Sequence, residues 1–447
     1  MANSSLQRSR TAGSTKTKFT ISMWVKKSAN NAKYLLVNYT DDSNRGLIQF
    51  GGSDEFLFQS KYSNSNNAVL QTNRKFRDTS AWYNFVLIGD STLATAGDRL
   101  KLYVNGVRET SFASETQISQ DGNFYLNEAT TNGFRIGEKG DGSDYFDGYI
   151  SHFVFLDGVA AAYTEFGETD STSGIWKFKS PSGVTWGTNG FHLKFENSGA
   201  LGTDSSGNSN TFTVNGNLKQ ALDTPSNVYA TLNPLALGPN SVLSNASNTC
   251  AMNAAAQFGA YSTLGVNSGK WYMEMKYSAR THSYDRVMVG IAGNPNELRR
   301  TPAFVGQPAD PTSYGYYVDG NRYQNDNATT YGSSYTVGDI IGIALDLENN
   351  RLFFSKNGTW QDSGDPTSST GAISITAPSS TVEGSYFFAV SDTTGSYGGT
   401  IQCNFGNGFF GTTAITSAGS NGNGSLFEYD VPSGYYALNT KNINTYG

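Results

Sequence analysis

The chain has 447 residues, of which 15% are charged and 13% are aromatic, and its formal net charge is −6. Because no basic block occurs, the charge pattern excludes the electrostatic footprint of a nucleic-acid partner and disfavours anionic membrane surfaces. The N-terminus lacks the apolar core of a signal peptide, and no run approaches the roughly 18 apolar residues of a membrane span. We therefore expect synthesis in the cytoplasm without export by a signal peptide and without membrane insertion.

Runs of alternating residues predict short β-strands throughout the first half of the chain. Between Lys18 and Lys26, apolar residues alternate with Thr, Ser, Trp and Lys, which predicts a strand with one buried face. Residues 99–104 alternate again and lead into Asn105-Gly106, the strongest short hairpin signal. Further strands are predicted at residues 81–88, 134–137, 149–156, 192–196 and 211–214, and one or two helical turns at residues 160–166.

The second half continues in the same way. Residues 269–277 predict an aromatic-rich strand, and residues 287–291 predict a buried strand. Two further runs flank the tight turn Glu348-Asn349-Asn350, and the second of them leads into Asn357-Gly358. These two runs cover residues 339–347 and 351–355, and the last predicted strands cover residues 386–390 and 400–405.

The strand pattern breaks at residues 223–227, where Pro, Ser and Asn together indicate a boundary. We therefore predict a first domain at residues 1–222, a linker at 223–235 and a second domain at 236–447. Short strands at regular spacing without helices between them are typical of antiparallel sandwiches. The predicted fold class is all-β, with two consecutive antiparallel β-sandwich (jelly-roll) domains.

The sequence does not predict an enzyme. Sandwich glycosidases need two carboxylates that face each other across a cleft, whereas the strand at 271–277 carries a single carboxylate, Glu274. His152, His192 and His282 are far apart in sequence, and we interpret the first two as core or rim residues. The spacings of a zinc site, a nucleophile elbow and a phosphate loop are all missing.

One acidic cluster could hold a calcium ion, formed by Asp141, Asp144 and Asp147. Its spacing differs from that of an EF-hand, and a solvated turn is the simpler interpretation. No other cofactor is expected. Cys250 and Cys403 lie near the first and last strands of the second domain, where we expect two buried thiols on neighbouring strands.

Aromatic residues and an arginine in the predicted loops of the second domain are candidates for a binding face, because Tyr, Trp and Arg dominate recognition hot spots. The alternative is that several of these tyrosines cap the core with their hydroxyls in water. The candidate binding residues are Tyr284, Arg286, Tyr314, Tyr317, Tyr323 and Trp360.

The second half resembles the SPRY domain, a bent β-sandwich used for protein recognition. The resemblance covers residues 240–410 and depends on several segments in the right order. These segments are GKWYME at 269–274, VMVGI at 287–291, VGDIIG at 337–342, LDL at 345–347, RLFFSKNG at 351–358 and CNFG at 403–406.

The first half resembles the concanavalin A-like, laminin-G-like sandwich over residues 15–215. The segments that carry this resemblance are FTISMWV at 19–25, WYNFV at 82–86, LYVNG at 102–106 and FDGYIS at 146–151. Sandwiches of this type sometimes hold calcium at the rim, which is why the acidic cluster at 141–147 is of interest.

Four short segments resemble those of bacteriophage proteins that join these same two folds and are usually called tail-fibre or structural proteins. The segments are FGETD at 166–170, DSSGN at 204–208, ATLNP at 230–234 and PSGYYALNT at 432–440. This resemblance implies a virion protein, assembled in the host cytoplasm and released by lysis.

These resemblances imply a homo-oligomeric structural protein of a tail fibre, head fibre or other appendage. Its partners would be other virion proteins and a glycan or protein on the host surface, bound by lectin-like domains for host attachment. One alternative is a capsid or tail decoration protein that cements neighbouring subunits and has no host ligand. The other is a polysaccharide depolymerase, which would need the acidic pair that the sequence does not reveal.

Overall fold

The computed structural model describes residues 3–447 except 14, 131, 240, 253–258, 282–285, 298–302 and 394–397. The regular secondary structure of the described residues is mostly β-strand, and the chain divides into two compact units, Met1–Gln220 and Ala221–Gly447. Among the described residues, no helix has the length and apolar character needed to cross a membrane. The predicted all-β class with two consecutive sandwiches is confirmed.

The first unit packs an eight-stranded antiparallel sheet against a six-stranded one. In spatial order, the larger sheet contains β10 (Phe112–Thr116), β6 (Ser65–Lys75), β5 (Glu55–Tyr62), β4 (Asn44–Phe50), β3 (Lys33–Asp41), β11 (Phe134–Ile136), β1 (Ser5–Arg8) and β16 (Thr213–Asn215). The smaller sheet contains β15 (Phe191–Leu193), β12 (Gly148–Asp157), β2 (Lys18–Lys27), β7 (Tyr83–Asp90), β8 (Leu100–Val104) and β9 (Val107–Arg108). A separate ladder joins β13 (Gly167–Thr169) to β14 (Trp176–Phe178), and short 3-10 turns lie at Ala96–Asp98, Tyr125–Asn127 and Tyr163–Glu165.

Strand β2 is buried on both faces, which corrects the prediction of a single buried face. Its apolar residues enter the core between the sheets, where Phe19 and Ile21 are fully buried. Its polar face is covered by the segment that follows β12. There the Thr20 hydroxyl donates to the carbonyl oxygen of Val159 at 2.9 Å and accepts from the amide of Ala161 at 2.9 Å. The alternation of β2 therefore marks two different buried surfaces.

A fully buried ion pair fastens the N-terminal segment to the first unit. The Arg10 guanidinium lies 3.0 Å from the Asp157 carboxylate, and both side chains have no exposed surface. The guanidinium also lies over the rings of Phe134 and Phe155, 4.8 and 5.1 Å from their centroids. Asn189 donates its amide N–H to the same carboxylate at 3.0 Å. The pair thus joins the N-terminal segment, the end of β12 and the loop before β15.

The second unit contains a nine-stranded and a six-stranded sheet. The main path of the larger sheet is β17 (Ser241–Ser244), β18 (Thr249–Met252), β30 (Gly399–Asn404), β20 (Lys270–Arg280), β25 (Ile340–Asp346), β26 (Arg351–Lys356) and β27 (Thr359–Trp360), with β28 (Ile373–Ser374) on β26 and β33 (Tyr436–Ala437) parallel to β20. The smaller sheet contains β19 (Gly259–Tyr261), β29 (Phe387–Asp392), β21 (Val287–Ala292), β22 (Tyr314–Tyr317), β23 (Asn321–Gln324) and β24 (Asn327–Thr330). The other elements among the described residues are β31 (Phe409–Phe410), β32 (Thr413–Ala414), 3-10 turns at Pro234–Ala236, Gln361–Ser363 and Pro378–Ser380, and a C-terminal helix at Thr440–Tyr446.

The segment expected to be a linker at 223–235 contributes directly to the second unit. Ala230 and Leu232 are buried in its main core, and Tyr229 packs in a smaller cluster on the outer face of the larger sheet. The amide of Ala230 donates to the carbonyl oxygen of Leu438 at 3.0 Å. The composition of this segment predicts a boundary, whereas the chain is already part of the sandwich at Tyr229.

Both predicted Asn-Gly hairpins are present. Asn105 and Gly106 have φ values of 48° and 76°, and Asn357 and Gly358 have φ values of 48° and 79°. Two successive left-handed residues produce the type I′ turn, which matches the twist of antiparallel strands. These turns join β8 to β9 in the first unit and β26 to β27 in the second.

The buried Arg10–Asp157 pair yields a stability prediction. We expect Arg10→Ala to lower the free energy of unfolding of the first unit by about 3–5 kcal/mol, because it leaves a buried carboxylate without its countercharge. Urea unfolding followed by tryptophan fluorescence measures the loss. Arg108→Ala is the matched control, since the Arg108–Asp98 pair is 44% exposed on both sides and should contribute less than about 1 kcal/mol. Equal losses in the two variants would contradict the structural role of the buried pair.

Candidate functional site

The structure places three predicted binding tyrosines on strands of the second unit, whereas the sequence placed them in loops. Arg286 immediately precedes β21, Tyr314 and Tyr317 lie on β22, and Tyr323 lies on β23. The predicted loop location of these tyrosines was wrong, because the Gly- and Asp-rich segment forms a hairpin of hydrogen-bonded strands. Tyr284 lies outside the described residues.

Tyr314 is a core residue, which corrects its assignment to a binding face. Its ring is 3% exposed and faces the interior of the sandwich, together with that of Tyr316. The Tyr314 hydroxyl accepts hydrogen bonds from the amide of Thr376 at 2.9 Å and from Gln324 Nε2 at 3.1 Å. Buried tyrosines need such partners for the polar end of the side chain, and these contacts occupy Tyr314 within the fold.

The other residues meet on the outer face of the smaller sheet, in what we call the Arg286 cluster: Arg286, Phe304, Tyr317, Tyr323 and Thr393. Arg286 Nη1 donates to the Tyr317 hydroxyl at 3.1 Å, and the Thr393 hydroxyl donates to the same oxygen at 3.3 Å. The Tyr317 and Tyr323 rings meet edge to face with centroids 5.6 Å apart. Phe304 extends the contact with its ring 6.3 Å from that of Tyr323.

The register of the sheet brings this cluster together. Tyr317 pairs with Met288 of β21, and Tyr323 pairs with Gly315 of β22, so both tyrosines face outward on adjacent strands. Gly306 has a φ of 93° and packs so closely on Tyr323 that a side chain at this position would collide with it. The glycine therefore allows the covering segment to lie directly against the backbone of Tyr323.

The Arg286 cluster combines a cation, phenol groups and an apolar ring at a partly exposed surface. Tyr317 is 8% exposed and forms its base, while Arg286, Phe304 and Tyr323 are partly exposed. Partial burial raises the pKa of Tyr323 above its ordinary value. Tyr323 is therefore a neutral hydrogen-bonding phenol at physiological pH, beside a charged guanidinium. This set of groups is suited to binding a partner by stacking and by charge-assisted hydrogen bonds.

Trp360 lies away from the Arg286 cluster. It packs on the outer face of the larger sheet, with ring centroids 6.4 Å from Tyr272 and 6.5 Å from Phe353. The sequence grouped it with the tyrosines because it follows an Asn-Gly turn, but that turn belongs to the opposite sheet.

The acidic cluster proposed for calcium does not gather into a site. The Asp141 carboxylate is engaged by Lys139 Nζ at 2.9 Å and by the Ser143 hydroxyl at 2.6 Å. Asp144 is exposed, whereas Asp147 is 8% exposed. No group of three or more His, Cys, Asp or Glu side chains with the arrangement of a metal site occurs among the residues that the structure describes.

The histidines of the first unit lie where the sequence placed them. His192 is 2% exposed. His152 is half-buried and stacks on the ring of Phe178, with the two ring centroids 3.6 Å apart. Burial lowers the pKa of each imidazole to about 4, so both are neutral at physiological pH. His282 lies outside the described residues.

The prediction of two buried thiols on neighbouring strands is confirmed. Cys250 on β18 and Cys403 on β30 are both buried and unbridged, and the two strands pair directly. Burial raises the pKa of Cys250 to about 12 and that of Cys403 well above its ordinary value. Both side chains therefore remain protonated thiols, without the thiolate character of a reactive cysteine.

Sequence reasoning missed the structural importance of Glu274. Its carboxylate is fully buried on the outer face of β20 and receives the amide protons of Glu428 and Tyr429, each at 2.8 Å. Tyr272 and Asn404 donate to it from the same sheet at 3.1 and 3.4 Å. Burial raises the pKa of Glu274 to about 7. A lone acidic residue within an aromatic strand was the signal that could have identified it.

The raised pKa of Glu274 predicts a pH-dependent stability. Because the folded chain holds the proton more tightly than the unfolded chain, the contribution of Glu274 is fully present below about pH 4.5 and is lost as the pH rises through about 7. The measured quantity is the free energy of unfolding of Glu274→Gln minus that of the parent. We expect this difference to be more favourable to the variant at pH 8 than at pH 5, by on the order of 3 kcal/mol. Urea unfolding at the two pH values measures this difference.

Glu383→Gln is the control for that experiment, since Glu383 is exposed. Its stability relative to the parent should be the same at both pH values. A Glu274→Gln variant that behaves in the same way would show that the carboxyl group titrates normally.

Two protein families match separate parts of the chain. Residues 2–162 match the concanavalin A-like lectin/glucanases superfamily, and residues 270–374 match the SPRY domain. Among solved structures, the SPRY domain of human HERC1 is 18% identical, with a TM-score of 0.30, and the match covers 38% of this chain and 96% of that one. The stonustoxin structure is 17% identical, with a TM-score of 0.28, over 39% of this chain and 27% of that one.

Curated relatives match over about a quarter of this chain. The Ran-binding proteins 9/10 homolog of Drosophila melanogaster is 31% identical over 108 residues, which are 24% of this chain and 10% of that protein. Ran-binding protein 9 of Homo sapiens is 31% identical over 23% of this chain and 14% of its own length. The ATP-dependent RNA helicase DDX1 of Xenopus laevis is 32% identical over 22% of this chain and 12% of its own length. The chain thus spans less than a fifth of these relatives, and it carries a concanavalin A-like, laminin-G-like domain followed by a SPRY domain.

Proposed function

We propose that the chain is a non-enzymatic structural protein of a bacteriophage particle, located in a tail fibre, head fibre or other surface appendage. Its two sandwiches would serve adhesion to a glycan or protein of the host surface. The observation that carries the recognition part of this proposal is the Arg286 cluster, in which a guanidinium, two phenols and a phenyl ring share one partly exposed surface.

The composition of the Arg286 cluster favours binding of a macromolecule. Arginine and tyrosine contribute large contact areas and directional hydrogen bonds at a small cost in conformational entropy. Tyr317 is held by two hydrogen bonds and Tyr323 by ring contacts, so the surface is ordered before a partner arrives. The names of two curated relatives include Ran binding, which supports a protein as one class of partner.

The burial and the hydrogen bonds of Glu274 support a non-catalytic role for the chain. A pKa near 7 would suit a general acid, but the carboxylate is fully buried and already receives four hydrogen bonds from the protein. A substrate would have to displace the segment around Tyr429 to reach it. We therefore assign Glu274 to the fold and not to a depolymerase site.

The assignment to a virion is supported by the resemblance of residues 166–170, 204–208, 230–234 and 432–440 to phage structural proteins. Many copies on one particle, as a homo-oligomer docked to other virion proteins, would convert weak individual contacts into firm attachment. This arrangement requires neither a cofactor nor an export signal.

The proposal predicts that the Arg286 cluster mediates cell binding. We expect Arg286→Ala and Tyr323→Ala each to weaken binding of the labelled chain to intact host cells by about thirtyfold or more, since loss of a hot-spot side chain costs about 2 kcal/mol. Flow cytometry of cells titrated with the chain measures the change. Arg322→Ala is the control, because Arg322 neighbours Tyr323 on β23 but faces the other side of the sheet.

Unchanged binding in both cluster variants would overturn the role of the Arg286 cluster. Cryo-EM of the particle separates adhesion from the decoration alternative. A cluster that faces solvent on an appendage supports adhesion, whereas a cluster buried against capsid or tail subunits would make the chain a cementing protein. Release of reducing ends from host polysaccharide would instead establish a depolymerase.

A further inference from the structure

A polar groove lies in the second unit, between the start of β20, the β25–β26 turn and the C-terminal helix. Its volume is about 530 Å³, within the range of about 300–1,000 Å³ that is usual for small-molecule sites. Lys270, Glu348, Tyr436, Thr445 and Tyr446 line it. The two tyrosines lie beyond the residues that match the SPRY domain, so this groove includes surface that the matched SPRY segment does not supply.

One wall of the groove is a stacked pair of tyrosines. The rings of Tyr436 and Tyr446 lie 3.6 Å apart with an angle of 2° between their planes. Tyr446 is 38% exposed. Each ring limits the motion of the other, so the pair forms a fixed aromatic surface beside the groove.

The opposite wall carries an ordered set of charges. Lys270 Nζ lies 3.3 Å from the carboxylate of Asp346 and 3.7 Å from that of Glu348. Asp346 is buried and fixed in place, since it accepts hydrogen bonds from the amide and side chain of Asn349 at 3.1 and 2.8 Å. Glu348 is 59% exposed. Lys270 is thereby oriented by a buried partner, while the Glu348 carboxylate projects at the rim of the groove.

The C-terminal helix is held firmly enough to keep Tyr446 in position. The Asn439 side chain caps the helix by accepting the amide proton of Asn442 at 2.9 Å, and Asn442 Nδ2 donates to the carbonyl oxygen of Ala437 at 2.9 Å. At the other end, Gly269 has a φ of 79° and lies so close to the carbonyl oxygen of Tyr446 that a side chain would collide with it. The helix therefore docks directly against the residue before Lys270.

We propose that this groove is a binding site for a neutral sugar ring, with Tyr446 stacking on the ring and Lys270 and Glu348 bonding its hydroxyl groups. An exposed aromatic face attracts the C–H face of a pyranose, and a neighbouring ammonium and carboxylate supply the donor and acceptor that vicinal hydroxyls require. The ammonium of Lys270 is already paired with the buried Asp346 carboxylate and with Glu348 in the groove, which disfavours anionic sugars.

The sugar site is separate from the Arg286 cluster, which lies on the other sheet of the same unit. The physical basis of the site does not depend on that cluster. Its role in adhesion to a host glycan rests on the proposed function. Because the groove and the Arg286 cluster share no residues, substitutions can test each site separately.

The test is saturation-transfer NMR of the full chain with the methyl glycosides of glucose, galactose and N-acetylglucosamine, and with sialic acid and choline as probes of charge preference. We expect saturation transfer to at least one neutral glycoside. Tyr446→Ala should weaken this binding roughly tenfold, or about 1.4 kcal/mol, whereas Tyr446→Phe should retain it. Glu348→Gln should weaken it without changing the fold, and Lys441→Ala, at the exposed start of the same helix, is the control.

Arg286→Ala should leave sugar binding unchanged, which separates this site from the proposed adhesion surface. Absence of transfer to all three neutral glycosides would overturn the proposal, as would transfer that persists in Tyr446→Ala. Binding of choline or sialic acid in preference to the neutral glycosides would overturn the assignment to a neutral sugar.

Discussion

The buried carboxylate of Glu274 is the contact on which the completed second sandwich depends. Strand β20 directs Trp271 and Met273 into the main core, so Tyr272 and Glu274 face outward and would be exposed if the sheet ended there. The segment that contains Glu428 and Tyr429 covers this face because its amide protons have an acceptor there. Phe427 and Tyr435 then pack over Tyr272 and Phe353. The hydrogen-bonded carboxyl group of Glu274 therefore provides orientation, while the aromatic rings provide most of the buried area.

In the first unit, a buried ion pair positions the covering segment. Its N-terminal segment carries Arg10 into the interior, where Asp157, Asn189 and the rings of Phe134 and Phe155 surround the guanidinium. In both units a segment distant in sequence is positioned by a buried ionisable side chain with several hydrogen-bond partners. A buried charge tolerates few alternative arrangements, because every misplacement leaves it without solvation. The apolar core contributes most of the buried area, and the buried ionisable side chain determines where the covering segment packs.

These covering segments determine which surfaces are available for binding. On the smaller sheet of the second unit, residues 303–313 cover much of the outer face and leave the Arg286 cluster at its margin. On the larger sheet, the C-terminal residues cover the centre and form a groove with the start of β20. Both candidate sites thus arise where an added segment meets a sheet. The two sites differ in chemistry, since one presents a guanidinium among phenols and the other a stacked tyrosine pair opposite an ion pair.

Local patterns in the sequence were sufficient to predict the fold class, the Asn-Gly hairpins, the burial of His192 and the adjacency of Cys250 and Cys403, because strand alternation and turn chemistry act over a few residues. Tertiary structure alone decided that β2 is buried on both faces, that Tyr314 belongs to the core and that Trp360 lies on the other sheet from Arg286. It also decided that Glu274 binds a segment more than 150 residues later in the chain. Alternation shows that a strand has two faces, but only the packing of distant segments determines which of them reaches solvent.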